Sequence, residues 1–471
     1  MIIYFLLFFT IILKSSNSLT RLRLQQKTRE SLSKDGRDNF DKHVKSMETL
    51  KKLSDQLNGR RHTKINKDKE VKETLFGNAA LFQGDMILTP YHAKIMIEEA
   101  KIKLDAKKQG KNITDKNIVN KLKKMRAFER KLIYQWKCPI PYYVDTGLDA
   151  DKITAALKEI EKNTCIRFKK FPKFSNKAGL RYYSGEGCFS DVGRVEKDKV
   201  QDISIVAGYE WLGIVGHETL HALGFQHEQS RPDRDKYVKI IPENIDPEMR
   251  FNFDFYGIDK TDTLGIPYNY GSAMHYDRKA FSMNGGDTML PTNELYANTI
   301  GSCTTLQFLD YQMVNTAYCS KRCKGNVKCE NGGYENPNKC GTCLCPYLLT
   351  GDTCTEYIKN PPECGESNFF KLENNKTLSL KPKGILECVY AISSPTKVKL
   401  TFVDSFLKIR AYYCFTGDAL EVQYLNDKRF TGVTYCGQNR GKTITSEGPL
   451  MLIKYTGYIN EHFAEFNFQS V

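Results

Sequence analysis

The stretch His217–Glu228, HETLHALGFQHE, places three of the chain's eight histidines within eleven residues. His217 and His221 are four apart, the spacing that stacks two side chains on one face of a helix. Two imidazoles so placed can grip one Zn²⁺ at about 2.0–2.1 Å, which commits the segment to being helical. Glu218 then lies one residue round the helix. There its carboxylate can lean over the metal without binding it and take a proton from water. Gly224 tolerates a left-handed backbone, so the helix can stop and turn sharply. The turn brings His227 back as a third ligand from outside the helix. Three protein ligands leave one position open, which is the catalytic rather than the structural arrangement of zinc.

A chain of 471 residues is too long for one core, and about three domains are expected. Residues 2–13, IIYFLLFFTIIL, followed by small polar residues up to Ser18, read as a secretory signal peptide over 1–18. That run is short for a membrane span and no later one is long and apolar enough, so a secreted, extracellular product with no membrane partner is expected. Fifteen cysteines agree with an oxidising compartment. The net charge of +15 is concentrated at the front: residues 19–126 hold 27 Lys and Arg against 14 Asp and Glu. Residues 127–471 hold 42 against 41, so the charge belongs to a solvated segment, and nucleic acid is not the expected partner. Asn112 and Asn375 head glycosylation sequons.

Residues 19–126 lack cysteine and show little sustained apolar pattern, so no independent globule is expected there. Their exceptions are KIMIEEAKIKLD (94–105), an amphipathic helix, and the apolar island LFQGDMILTP (81–90). At Trp136 the texture changes. IPYYV (140–144) reads as a strand, and Ile153, Leu157 and Ile160 share one face of a helix opened by Asp149 and Asp151. Further β-type runs are CIRF (165–168), LRYY (180–183) and ISIV (203–206). From Cys319 the chain is dense in cysteine and glycine, and Asn360-Pro361-Pro362 makes a stiff spacer. From Cys364 onward apolar and polar residues alternate, the pattern of a β-sandwich.

The run HETLHALGFQHEQSRPDRD resembles the signature of the astacin family of metzincin peptidases. Ser272-Ala-Met274-His275-Tyr276 is similar to that family's methionine turn. The resemblance implies an α+β fold, with an astacin-like catalytic domain over 127–319 whose two subdomains flank an active-site cleft. It also implies one Zn²⁺, an apolar floor from Met274, and Tyr276 as a further ligand that swings away to hydrogen-bond the tetrahedral intermediate. The implied activity is that of a zinc metalloendopeptidase acting on extracellular proteins or peptides. Phe82-Gln-Gly84-Asp85 resembles the F-x-G-D motif by which astacin prosegments keep the enzyme inactive. Asp85 would then coordinate zinc in place of water, residues 19–126 would be a prosegment, and the product would be a zymogen. The family's mature chain begins about ten residues before a tryptophan, which points to Ala127, released by an activating protease cutting after Arg126. The new amino group would reach Glu228 through water.

The same resemblance pairs Cys165 with Cys319. It leaves Cys188 without its usual partner, since that position holds Tyr209, and Cys138 and Cys303 lie outside the family pattern. These three could pair in more than one way. Residues 320–357 resemble an EGF-like module with bridges Cys323–Cys340, Cys329–Cys343 and Cys345–Cys354. So small a segment needs bridges in place of a core. Residues 364–471 resemble a CUB domain with bridges Cys364–Cys388 and Cys414–Cys436. Some CUB domains bind Ca²⁺, and Asp418 sits where one acidic ligand is expected, with no other ligand placed. This order of modules resembles that of many animal astacins, nematode ones especially. The rival reading is a catalytically silent binding or matrix protein using the EGF-like and CUB modules; it requires a missing ligand or base, and none is missing.

Overall fold

The computed structural model describes residues 19–471 apart from 72–76, 113–115, 119, 121–134, 174–177, 255–262, 302–303, 375, 410–412 and 419. The signal-like run 1–18, Arg126, Ala127, Cys303 and Asn375 therefore lie outside the described residues.

The N-terminal segment forms no separate globule, as expected, but it is more helical than its composition suggests. Its described residues include the helices α1 (Arg21–Ser31), α2 (Lys34–Leu57) and α3 (Pro90–Lys108), capped by the hydroxyls of Thr20, Ser33 and Thr89. Phe40, Met47, Leu50 and Leu53 are buried at helical spacing along α2. Met47 and Leu50 cluster with Ala93 and Met96 of α3, but also with Val192, Met249 and Phe251 far along the chain. Phe40, Leu81 and Ile87 likewise meet Tyr183 and Phe189. Dense charge hides this apolar stripe in the sequence because the surface it covers is supplied by another part of the chain.

A six-stranded sheet forms the centre. Its strands are β1 (Met86–Ile87), β2 (Ile140–Val144), β3 (Phe168–Lys170), β4 (Gly179–Tyr183), β5 (Phe189–Asp191) and β6 (Val200–Ser204), in the order β1-β5-β6-β4-β2-β3. β1 comes from the N-terminal segment and adds in parallel to the edge strand β5. The segment thus extends the central sheet through backbone pairing. Helices α4 (Ala150–Asn163) and α5 (Leu212–Ala222) share one core with the sheet, in which Ile153, Leu157 and Ile160 meet Leu180, Ile203, Val215 and Leu220. Asp149 caps α4, accepting from the backbone of Asp151 and Lys152. Helix α6 (Phe308–Tyr318) closes this part of the chain, and a disulfide ties Cys165 to Cys319 just after it.

A small module then carries the disulfides Cys323–Cys340, Cys329–Cys343 and Cys345–Cys354. The last stretch is two packed sheets. One has strands β7 (Phe369–Lys371), β9 (Glu387–Ser393), β14 (Leu450–Thr456), β11 (Leu420–Gln423) and β12 (Val433–Tyr435) in that order. The other has β8 (Leu378–Leu380), β15 (Phe463–Ser470), β10 (Val398–Phe406) and β13 (Thr443–Thr445). Phe402, Val422, Ile453, Phe466 and Phe468 fill the space between them, and disulfides join Cys364 to Cys388 and Cys414 to Cys436. The modules are not strung out on linkers. Leu348 and Leu349 of the small module pack on Val389 and Leu452, and the sandwich core runs on into Tyr268, Tyr270 and Tyr296 of the central domain. No helix among the described residues is long and apolar enough to cross a membrane.

Candidate active site

Helix α5 is buried almost all round, which an ordinary amphipathic helix is not. Gly216 makes this tight fit workable, since a Cβ there would lie 2.9 Å from Leu306 Cγ. Its histidines are gripped from behind. His217 Nδ1–H donates to the Ala273 carbonyl at 2.7 Å, and His221 Nδ1–H donates to the Phe225 carbonyl at 2.8 Å. Gly224 adopts φ +104° and ends the helix, allowing Phe225 to fold back and His227 to enter from outside. The third imidazole has a different kind of partner: its Nδ1 lies 2.8 Å from Gln83 Oε1, on the N-terminal segment.

A carbonyl can only accept, so His217 and His221 must carry their protons on Nδ1 and present bare Nε2 lone pairs. Those two Nε2 atoms are 3.0 Å apart. Two lone pairs facing at that distance repel unless a cation lies between them. Burial, reinforced by the neighbouring imidazoles, holds the His221 pKa well below its ordinary value, and burial lowers that of His227. Neutral imidazole is the ligating form. The Asp85 carboxylate completes the cluster, 3.0 Å from His227 Nε2, 3.3 Å from His217 Nε2 and 3.8 Å from His221 Nε2. All four ligand atoms lie within 4.8 Å of one another and all four residues are buried. Three nitrogens and a carboxylate fit a zinc ion in charge, softness and number.

Glu218 is fully buried beside this cluster, and neither carboxylate oxygen has a hydrogen-bond partner among the described residues. Burial, with the Asp85 charge added, raises its pKa well above the ordinary range. Tyr276 stands opposite, its ring centroid 4.7 Å from that of His227 and its hydroxyl donating to the Gln83 carbonyl. Met274 is fully buried, and its carbonyl accepts from the Glu228 N–H at 2.9 Å. Glu228 accepts from the Asn269 N–H at 2.8 Å and faces Arg231 at 3.3 Å, while burial pushes its pKa up to about 7.

Two contributors escaped the sequence reading. Asp310, at the start of α6, accepts from Ser272 Oγ at 2.6 Å and from Ala273 N at 3.0 Å. It thereby fixes the turn whose carbonyl orients His217. Its only local signal is a capping pattern with Gln307. Gln83, between the motif residues Phe82 and Gly84, carried no signal at all. Elsewhere, Cys138 is exposed and in no disulfide, and Cys188 is buried with its sulfur 3.5 Å from Val206 N. Asn112 is exposed. Asp418 is approached by Lys408 Nζ at 3.4 Å and accepts from the Tyr458 hydroxyl at 2.5 Å, so a protein ammonium already supplies positive charge there.

A helix-borne histidine pair, a third histidine returned by a glycine turn and an unpartnered glutamate define a zinc metallopeptidase centre. Comparison with known proteins agrees. The profile of the Astacin peptidase family matches residues 128–319. Zinc metalloproteinase nas-34 of Caenorhabditis elegans is 33% identical over 389 residues, 82% of this chain and 63% of that protein. Zinc metalloproteinase nas-23 of the same nematode is 33% identical over 392 residues, 79% of this chain and 69% of that protein. Among solved structures, High choriolytic enzyme 1, a hatching enzyme zinc-protease from Oryzias latipes, is similar at 35% identity. It covers 40% of this chain and 94% of that one, with a TM-score of 0.35. The chain belongs to the astacin family of zinc metallopeptidases.

Proposed function

We propose that the chain is a secreted zinc endopeptidase made as a zymogen, with residues 1–18 as signal peptide and 19–126 as prosegment. The observation that carries this reading is the reach of one carboxylate, Asp85, to three imidazoles, 3.0 Å from the nearest, beside an unpartnered Glu218. His217, His221 and His227 would hold the ion, and the Nδ1 bonds of His217 and His221 to backbone carbonyls keep those two rings in the ligating tautomer. Bound zinc supplies the Lewis acidity that activates water and polarises the scissile carbonyl. Glu218 is the general base: it takes the proton of the attacking water and returns it to the leaving amine. The Tyr276 hydroxyl, which donates to the Gln83 carbonyl in the intact chain, turns to the developing oxyanion when that carbonyl leaves. Asp85 occupies the place of the water until an activating protease cuts after Arg126. The amino group of Ala127 then comes to Glu228.

On this reading the peptidase domain, residues 127–319, consists of two subdomains around the cleft. Residues 320–357 are an EGF-like module and 364–471 a CUB domain, and the substrates are extracellular proteins or peptides. Asn112 and Asn375 carry the glycans. The test is Glu218→Gln in the processed protein, with bound zinc and peptide cleavage both measured. The variant should keep its zinc while cleavage falls about 10²–10⁴-fold. Unchanged cleavage sinks the base assignment, and a wild-type protein that takes up no zinc sinks the whole reading.

A further inference from the structure

We propose that Ser230, together with His227 and Asn252, forms a subsite for a substrate residue whose side chain ends in an acceptor oxygen, as in Gln or Glu. The inference rests on the peptidase reading above and deepens it. In the intact chain Gln83 fills the place. Its side-chain oxygen accepts from Ser230 Oγ at 3.0 Å and lies 2.8 Å from His227 Nδ1. Because the Gln83 amide oxygen can only accept, His227 must carry a proton on Nδ1, so two donors converge on one oxygen. The Gln83 backbone is held as well: its N–H donates to Asn252 Oδ1 at 2.9 Å and its carbonyl accepts from the Tyr276 hydroxyl.

Gln83 adopts φ +50°, a left-handed conformation that costs a non-glycine residue energy and persists only where surrounding contacts enforce it. Its side chain points into the pocket, where its oxygen meets Ser230 and His227. Ser230 and His227 are buried, at 4% and 1% exposure, and neither the Ser230 hydroxyl nor the His227 Nδ1–H has another acceptor among the described residues. When the N-terminal segment departs, both donors lose their acceptor at the edge of the zinc cluster. A substrate side chain ending in carbonyl or carboxylate oxygen restores both bonds. An aliphatic one of equal length leaves two buried donors unmet, a mismatch that polar sites discriminate against strongly. The pocket thus selects at the residue that takes the place of Gln83.

Two measurements test this. In the intact full-length chain, amide hydrogen exchange across Phe82–Leu88 is compared for wild type, Gln83→Met, Gln83→Glu and Ser230→Ala. Gln83→Met and Ser230→Ala should exchange about tenfold faster or more, while Gln83→Glu retains protection. Equal protection in Gln83→Met overturns the proposal without any reference to catalysis. The processed protein is then given peptides varied through Gln, Glu, Met and Leu at each position near the cut. A preference of about tenfold for Gln or Glu over Met at one position, abolished in Ser230→Ala, supports the subsite. Indifference at every position while peptides are still cut overturns the subsite and leaves the peptidase standing. Failure to cut any peptide counts against the peptidase, and the exchange data still decide the pocket.

Discussion

Gly36 brings the start of α2 so close to Asp202 that a Cβ on it would lie 2.3 Å from the carboxylate Oδ2. That oxygen accepts from Ser33 N at 2.8 Å and from Ser33 Oγ at 2.6 Å, while Arg181 bonds the other oxygen at 2.9 Å. A buried carboxylate at a helix N-terminus is well placed, because the free N–H groups and the dipole both favour negative charge. The N-terminal segment therefore docks by letting the central domain cap its longest helix.

Gly36→Ala follows as a test of that docking. Asp202 is held from both sides and cannot swing away, so the added methyl should loosen the segment by about 1–3 kcal/mol. Limited proteolysis of the intact chain should nick residues 19–112 sooner than in wild type. An unchanged digestion rate counts against the anchor.

Asp85→Ala removes the carboxylate facing the three imidazoles but leaves the Gln83 bonds to Ser230, Asn252 and Tyr276 in place. The uncleaved variant should hydrolyse a fluorogenic peptide that the uncleaved wild type leaves intact. A variant as silent as wild type would show that occlusion by the rest of the segment, rather than Asp85, blocks the site.

Asp191 predicts a pH dependence. Burial, with the neighbouring Asp202 charge added, raises its pKa to about 8, although Asn39 of α2 donates to it at 2.6 Å. A carboxyl whose folded pKa lies above its unfolded value of about 3.9 binds its proton more tightly when folded. Its contribution is therefore fully present below pH about 4 and lost as pH rises toward about 8. Denaturant midpoints of the intact chain, compared with Asp191→Asn over that window, should fall more steeply with pH in the wild type. Parallel curves would refute the assignment.

Gly271 lets the central domain approach the C-terminal sandwich closely: a Cβ there would meet Thr431 Cβ and Cγ2 at 2.5 Å. Thr431 is wedged in, its hydroxyl donating to Gln307 Oε1 and its carbonyl accepting from the Tyr296 hydroxyl. Gly271→Ala should destabilise this contact by about 1–3 kcal/mol and split a single denaturation transition into two. One unsplit transition at the wild-type midpoint would mean the contact contributes little.

The zinc centre was legible in the sequence because its grammar is local. Helical spacing puts His217 and His221 on one face, and a glycine at φ +104° returns His227 three residues later. The sandwich was legible from period-two alternation, and α4 from Ile153, Leu157 and Ile160. Of the helical layer over residues 21–108 only the last helix was legible, at 94–105; the first two were not, since their apolar stripe is thin, charge surrounds it, and the surface that completes it comes from Tyr183, Val192 and Phe251.

What the chain's order of residues determined by itself was which side chains could ligate, and the turn that gathers them. Only the fold decided what stands behind and before them: the Ala273 carbonyl and Asp310 behind His217, Gln83 before His227, and Thr431 against Asn269. The division has a physical cause. Helix periodicity and glycine conformation act over a few residues, whereas buried hydrogen-bond partners are chosen by packing between segments distant in sequence, as with Gln83 and His227.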